Sequence, residues 1–161
     1  MSFTATTILG AQLYEVDSSA KFPLGTRTKG TDPTLGEGEF QYFKGVASLA
    51  AGEFITLKTP ATAAVRAVAS GRGQVGVALA AVVASKYGWA QIAGTATGKV
   101  AASFADNGAI FLTSTAGTVD DAVVAADKID GARGASAIDT PSTGFAYVTL
   151  NYPSANGNST A

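Results

Sequence analysis

Two glycine-rich segments resemble the sequence patterns of phosphate-binding loops. Gly71-x-Gly73-x-x-Gly76 has the spacing of a dinucleotide fingerprint, and Gly94 to Lys99 resembles a P-loop. The dinucleotide mechanism requires a strand before the glycines, a helix after them, and an acidic residue about 20 residues on that binds the ribose. No Asp or Glu occurs between residues 91 and 99, and the second segment has three residues between its glycines instead of four. We therefore interpret the first segment as a hairpin turn and the second as a β-turn.

Carboxylates are the other candidates for chemistry. Asp120 and Asp121 are adjacent in sequence, and a carboxylate-pair hydrolase could in principle use any of Glu15, Glu37, Glu39, Glu53 or Asp106. Nothing in their spacing selects a pair, so we interpret Asp120-Asp121 as a solvated turn. The chain has no histidine and no cysteine, which excludes Ser-His-Asp and Cys-His catalysis, imidazole metal sites and disulfides. We predict a protein that is not an enzyme and has no cofactor.

The composition indicates a single domain that meets other proteins. Of the 161 residues, 47% are apolar and only 14% are charged, about half the usual charged share. The net charge is −1 with lysines and arginines scattered singly, so we expect neither nucleic acid nor membrane as a partner. The sequence contains no transmembrane run, and its first residues lack the pattern of a signal peptide.

The core of the predicted fold is the uncharged stretch from Gln74 to Ala84, followed by a corner and a second run from Trp89 to Ala93. Recurring valines between Gly76 and Gly88 favour two adjacent strands, although the alanines of this run would also suit a helix. Trp89 is the only tryptophan, and we expect it to anchor the packing of the corner.

Further short segments alternate with glycine-rich corners. Phe40 to Phe43 reads as an aromatic strand, Asp106-Asn107-Gly108 as a hairpin turn, and Phe145 to Tyr152 as a strand with clear period-two alternation. Many short strands of this kind predict an all-β fold, a compact β-barrel or sandwich. We place this β domain at residues 39–152 and a flexible C-terminal tail at residues 153–161.

Residues 1–38 differ from the rest because glycine and proline interrupt every periodic pattern. Phe22, Leu24 and Leu35 are spaced like anchors, so we predict an extended N-terminal arm that docks on a partner, rather than a flexible linker. Arg27 and Lys29 would pair with carboxylates at the rim of that contact. The aromatic strand with Phe40 and Tyr42 would bury surface between subunits of a homotrimer or a dimer.

The predicted core also carries a family resemblance. The segments Val75 to Ala78, Tyr87 to Gln91, Leu112 to Gly117 and Gly131 to Arg133 resemble the small β-rich head decoration (cement) proteins of tailed bacteriophages. In that group a Val-Gly-Val-Ala strand leads to a Tyr-Gly-Trp-x-Gln strand, a Leu-Thr-x-Thr-Ala-Gly turn and a late Gly-Ala-Arg segment. The similarity spans roughly residues 39–152.

The resemblance implies a non-enzymatic virion protein, assembled in the host cytoplasm, that binds the outer capsid surface and holds neighbouring major capsid subunits together. Its partners would be the major capsid protein and further copies of itself. Two alternatives stay open: another virion component, such as a tail or baseplate part, and a β module that binds carbohydrate on the host surface.

Overall fold

The computed structural model describes residues 3–5, 11–58 and 64–156. Within these ranges the chain is all-β, without a helix, and its eleven strands form one antiparallel hydrogen-bonded sheet. The strands are β1 (Thr4–Ala5), β2 (Arg27–Asp32), β3 (Gly36–Lys44), β4 (Phe54–Leu57), β5 (Ala64–Arg66), β6 (Gly73–Ala78), β7 (Tyr87–Lys99), β8 (Ala109–Leu112), β9 (Val119–Asp120), β10 (Lys128–Gly134) and β11 (Phe145–Ala155).

The main path of the sheet runs β1-β2-β3-β7-β6-β11-β10-β8-β9, and β4 and β5 extend it beside β6. The sheet is not closed into a barrel, so the all-β prediction is confirmed while its finer form, barrel or sandwich, is not. A single bridge between Val100 and Val119 brings β9 near the end of β7. The sheet therefore bends around a core without a continuous ladder that would close it.

Strand β7 is the longest strand, with 13 residues, and it changes partners halfway along. Its first half pairs with β3 and β6, and its second half pairs with β11. The change occurs at Gly94, whose φ is +92° and where a Cβ would collide with the carbonyl oxygen of Glu37. The β-turn predicted for Gly94 to Lys99 is therefore wrong, because glycine here permits a bend inside a continuous strand.

The two adjacent strands predicted for the central stretch are present as β6 and β7. They pair through Val77 opposite Gln91 and Ala78 opposite Ala90. The first of them is shorter than predicted, since residues 79–86 form a loop after Ala78. The helical alternative is excluded for this stretch.

Two predicted hairpin turns do not join paired strands. Asn107 has the positive φ expected of it, +62°, yet β8 pairs with β9 and β10 rather than with β7. Buried Phe104 and a second positive φ at Ser103 turn the chain away from β7 beforehand. The segment containing Gly71 likewise leads from β5 into β6, and both of these strands pair with β4.

The described residues before position 39 lie against the rest of the sheet. β2 pairs with β3 over six residue pairs, and the connection turns where Oδ1 of Asp32 accepts the amides of Thr34 and Leu35 at 2.7 and 2.8 Å. The predicted boundaries at residues 38 and 152 both fall inside strands, β3 and β11. The division into arm, domain and tail stays a prediction, and regular structure begins earlier in the chain than the sequence indicated.

The buried side chains form three clusters along the bent sheet. One lies between β6, β8, β10, β11 and the second half of β7, and another lies around β4 and the first half of β7. The third contains Trp89, Tyr42 and Phe40 together with Phe3 and Leu13 from the N-terminal residues. Trp89 is thus a buried anchor, as the sequence predicted.

Replacing Trp89 by Ala should lower the free energy of unfolding by about 3–5 kcal/mol, because it removes the largest fully buried side chain of the chain's core. Chemical denaturation monitored by circular dichroism measures this loss. Val123→Ala is the matched control, since Val123 is exposed and its truncation should change stability by less than about 0.5 kcal/mol. Equal stability of the two variants would contradict the assigned packing.

Candidate functional site

Five of the seven predicted contact residues meet in one cluster, which belongs to the core of the chain itself. Phe22, Leu24 and Leu35 are half-buried and pack against the cluster that contains Phe40 and Tyr42. The ring of Phe22 lies 5.3 Å from that of Tyr42 and 5.4 Å from that of Trp89. We predicted these residues as surface contacts, whereas in the structure they pack against the sheet.

Phe40 and Tyr42 offer no side-chain surface to a partner, because both are fully buried. Their strand β3 lies between β2 and β7, and the N-terminal residues cover its inner face. Phe3, for example, packs edge-on against Phe40 at 4.9 Å. The expectation that this strand forms the subunit interface is therefore corrected, since an aromatic-rich strand is here a central strand.

Tyr42 also fixes the N-terminal residues through its hydroxyl group. The hydroxyl donates to Oδ2 of buried Asp17 at 2.7 Å and accepts the backbone amide of Lys21 at 3.2 Å. Lys21 Nζ in turn lies 2.6 Å from Asp17 Oδ1. Burial, together with the hydrogen bond and charge of Asp17, raises the pKa of Tyr42 to about 12.

The other two predicted residues, Arg27 and Lys29, lie on the outer face of β2. Arg27 Nε donates to Gln41 Oε1 at 3.1 Å, and its guanidinium lies 5.8 Å from the ring centre of Tyr152. The Tyr152 hydroxyl donates to Glu39 Oε2 at 2.5 Å. Tyr152 has a φ of +46°, which non-glycine residues rarely adopt, and such strain often marks functional positions. This outer cluster is a polar surface patch with one half-exposed aromatic ring.

The carboxylate of Glu53, which is only 1% exposed, is bound by several donors. Arg66 binds it with two hydrogen bonds of 2.8 and 2.7 Å, Lys99 Nζ donates at 3.1 Å, and the Ala50 amide donates at 3.2 Å. Burial favours the neutral carboxyl, but the hydrogen bonds from Arg66, Ala50 and Lys99 outweigh it and lower the pKa of Glu53. Both oxygens are occupied, so the group is suited to holding elements together and not to proton transfer.

The turn predicted at Ala116-Gly117 closes over this carboxylate. Arg66 Nη2 donates to the Ala116 carbonyl at 3.0 Å, and the Phe54 amide donates to the Gly117 carbonyl at 3.0 Å. Gly117 has a φ of +80°, and a Cβ there would lie 2.7 Å from Cδ of Glu53. Only glycine fits between the turn and the carboxylate, which gives the Leu-Thr-x-Thr-Ala-Gly motif a structural role.

One cavity of about 270 Å³ lies beside the third cluster. Its walls are mostly apolar, including Phe3, Leu35, Leu79 and Phe145. The amide nitrogen of Gln91 faces this region but already donates to the carbonyls of Ala93 and Thr95 at 3.1 and 3.0 Å. The Gln91 amide nitrogen is thus already bonded and is not free to orient a substrate in this cavity.

Exposed valines at two loops are features that the sequence reasoning missed. Val123 is 83% exposed, with Val124 beside it at 41%, and Val83 is 42% exposed in the loop between β6 and β7. The signal was present in the uncharged run Ala122 to Ala126, which stands between Asp121 and Asp127. An apolar run flanked by charges, away from any strand, favours an exposed contact loop.

In the ranges that the structure describes, no three His, Cys, Asp or Glu side chains are placed to hold a metal ion. The same ranges contain no helix of the length and hydrophobicity that a membrane span requires. Comparisons of the chain with family models, curated proteins and solved structures found no match.

Replacing Glu53 by Gln should destabilise the fold by about 3 kcal/mol, because Arg66 and Lys99 lose the carboxylate that neutralises them. Urea unfolding measures the change. Glu37→Gln is the matched control, since it breaks only the exposed pair with Lys29 and should cost at most about 1 kcal/mol. A Glu53 variant as stable as the control would contradict a structural role for the carboxylate.

Tyr42 should make the protein lose stability in alkali. Its folded pKa is about 12 and the ordinary value is 10, so its stabilising contribution is complete below pH 10 and is lost as the pH rises toward 12. The loss should be on the order of 2–3 kcal/mol by pH 12. The measurement is the difference in unfolding free energy between wild type and Tyr42→Phe from pH 9 to 12. A difference that stays constant over this range would contradict the assignment.

Proposed function

We propose that the protein is a decoration protein, which binds the outer surface of a bacteriophage head and stabilises contacts between major capsid subunits. The observation that carries this proposal is the pair of exposed valine loops. Val123 and Val83 are exposed, while the most deeply buried carboxylate, that of Glu53, is fully bonded. Such a surface suits contact with protein, and the family resemblance of the core points to the capsid.

In this proposal the bent sheet is the compact body for which the sequence predicted a barrel or sandwich. Outer residues of β2, Arg27 and Lys29, lie at the rim of a contact, where exposed charges set orientation more than affinity. Phe22, Leu24 and Leu35 contribute only the part of their surface that the chain leaves half-exposed. Each contact is small, and repetition over a symmetric shell sums small contacts into stable binding.

Co-sedimentation with purified phage heads and, separately, with purified tails tests the proposal. The expected result is that wild-type protein pellets with heads at saturable occupancy, does not pellet with tails, and raises the melting temperature of the heads. The Val123→Asp variant should pellet less, while Thr149→Asp, which places the same charge on an exposed position of β11, should pellet like wild type. Pelleting with tails instead of heads would favour a tail or baseplate component.

The carbohydrate-binding alternative has one feature in its favour, the half-exposed ring of Tyr152 between Arg27 and Glu39. Against it, Tyr42 is buried and Tyr87 is stacked on Tyr42 at 6.3 Å, so the tyrosines do not line a common cleft. Saturable binding on a glycan array that disappears in Tyr152→Ala, together with no pelleting on heads, would select this alternative over the decoration protein.

A further inference from the structure

The two exposed valine loops lie at opposite ends of β7. The loop of residues 79–86 leads directly into Tyr87, the first residue of β7. At the other end, Val100 follows Lys99 and bridges to Val119, which begins β9 and leads into residues 121–126. A strand of 13 residues spans up to about 40 Å, somewhat less with the bend at Gly94. The loops are therefore too far apart to form one patch on a single copy.

The first loop forms an end with unpaired positive charge, here called the lysine end, made of Val83, Lys86 and Lys44. The Lys86 amide donates to the Val83 carbonyl at 3.1 Å, and the Lys86 carbonyl accepts the amide of Gly45, the residue after Lys44, at 2.8 Å. Neither lysine side chain forms an ion pair within the described residues. Nearby, Lys21 binds both Glu15 and Asp17, which leaves one negative charge against Lys44 and Lys86, so the lysine end keeps a net positive charge.

The second loop forms an end with unpaired negative charge, here called the aspartate end, made of Val123, Val124, Asp106, Asp120 and Asp121. Asp121 accepts the backbone amide of Ala105 at 3.1 Å, which places it beside Asp106 in the neighbouring turn. Asp120 accepts the amide of Asp121 at 2.9 Å.

Lys128 and Arg133 lie near the aspartate end, and Lys128 pairs with Asp130 at 3.6 Å. Arg133 Nε donates to the carbonyl of Asn107 at 2.9 Å, and the three carboxylates still exceed the charge of Arg133. The aspartate end thus keeps a net negative charge around an exposed apolar tip.

We propose that the lysine end of one copy binds the aspartate end of a second copy, head to tail. Contact between like ends would place lysine against lysine or aspartate against aspartate, which costs binding energy. Contact between unlike ends instead covers valine with valine and places Lys44 and Lys86 opposite the aspartates. Association of this kind is a property of the free protein and so goes beyond contact with a capsid.

A head-to-tail contact uses two different surfaces of each copy, so it closes into a ring or grows into an open chain. A ring of three copies is the closed form that agrees with the homotrimer expected from the sequence. It would leave the outer face of β2, with Arg27 and Lys29, accessible to other partners.

Analytical ultracentrifugation of the full chain at about 10–200 µM tests the contact. Wild type is expected to associate, more weakly at about 0.5 M salt because screening reduces the attraction of exposed charges. Val123→Asp should lower the association constant about tenfold or more, since it places a charge in the apolar centre of the contact. Thr149→Asp carries the same charge on an exposed β11 position outside both ends and should associate like wild type. Melting curves confirm that each variant is folded, and Val123→Ser is a milder replacement should Val123→Asp fail to fold.

Charge reversal distinguishes a head-to-tail contact from a symmetric one. Two double variants are prepared, Lys44→Glu with Lys86→Glu, and Asp106→Lys with Asp120→Lys. Each alone should be monomeric, and their equimolar mixture should associate again, because the reversed ends then match each other. A monomeric wild type, an association that Val123→Asp leaves unchanged, or reversed variants that do not recover on mixing would each overturn the proposal. Loss of association in only one of the two double variants would indicate a symmetric contact and would also overturn it.

Discussion

The whole sheet depends on β7, a strand that pairs with three neighbours. Its first half lies between β3 and β6, and its second half pairs with β11 after the bend at Gly94. An extended strand cannot change partners without a local change in backbone direction, and a side chain at position 94 would collide with Glu37. Because one glycine supplies the bend, a single sheet can wrap its two halves around separate apolar clusters. The same geometry places the ends of β7, and the loops attached to them, on opposite sides of the molecule.

The buried carboxylate of Glu53 complements that backbone constraint. It connects β5 through Arg66, β7 through Lys99 and the turn at Gly117, none of which are neighbours in sequence. Apolar packing alone tolerates small shifts in register, whereas a charge with three donors must have each of them in place. In a chain with only 14% charged residues, two of eleven basic side chains are committed to one acid. The pairing of Arg66 and Lys99 with Glu53 therefore helps to specify how β5 and the turn at Gly117 pack against β7.

Much of the strand content could be predicted from the sequence, and most of the pairing could not. Phe145 to Tyr152 alternates so clearly that its strand was predicted, and it lies within β11. Local rules also recognised the positive φ of Asn107, but they could not reveal that Phe104 redirects the chain into the core. Phe40 and Tyr42 were predicted as contact residues because an aromatic strand can lie in a subunit interface as well as in a core. Only the long-range cover of residues 3–5 and 11–24 decides between the two, and such contacts leave no periodic signal.

The distribution of the few charges links the fold to association. In addition to the ion pairs of Glu53, the described residues contain pairs that join Lys29 to Glu37, Lys128 to Asp130, and Lys21 to both Glu15 and Asp17. Pairs of this kind neutralise individual charges along the sheet. The uncompensated charges at the two ends of β7 differ in sign and surround exposed valines. A protein that covers a repeating surface benefits from this arrangement, because directional contacts at the ends of β7 set the spacing between copies.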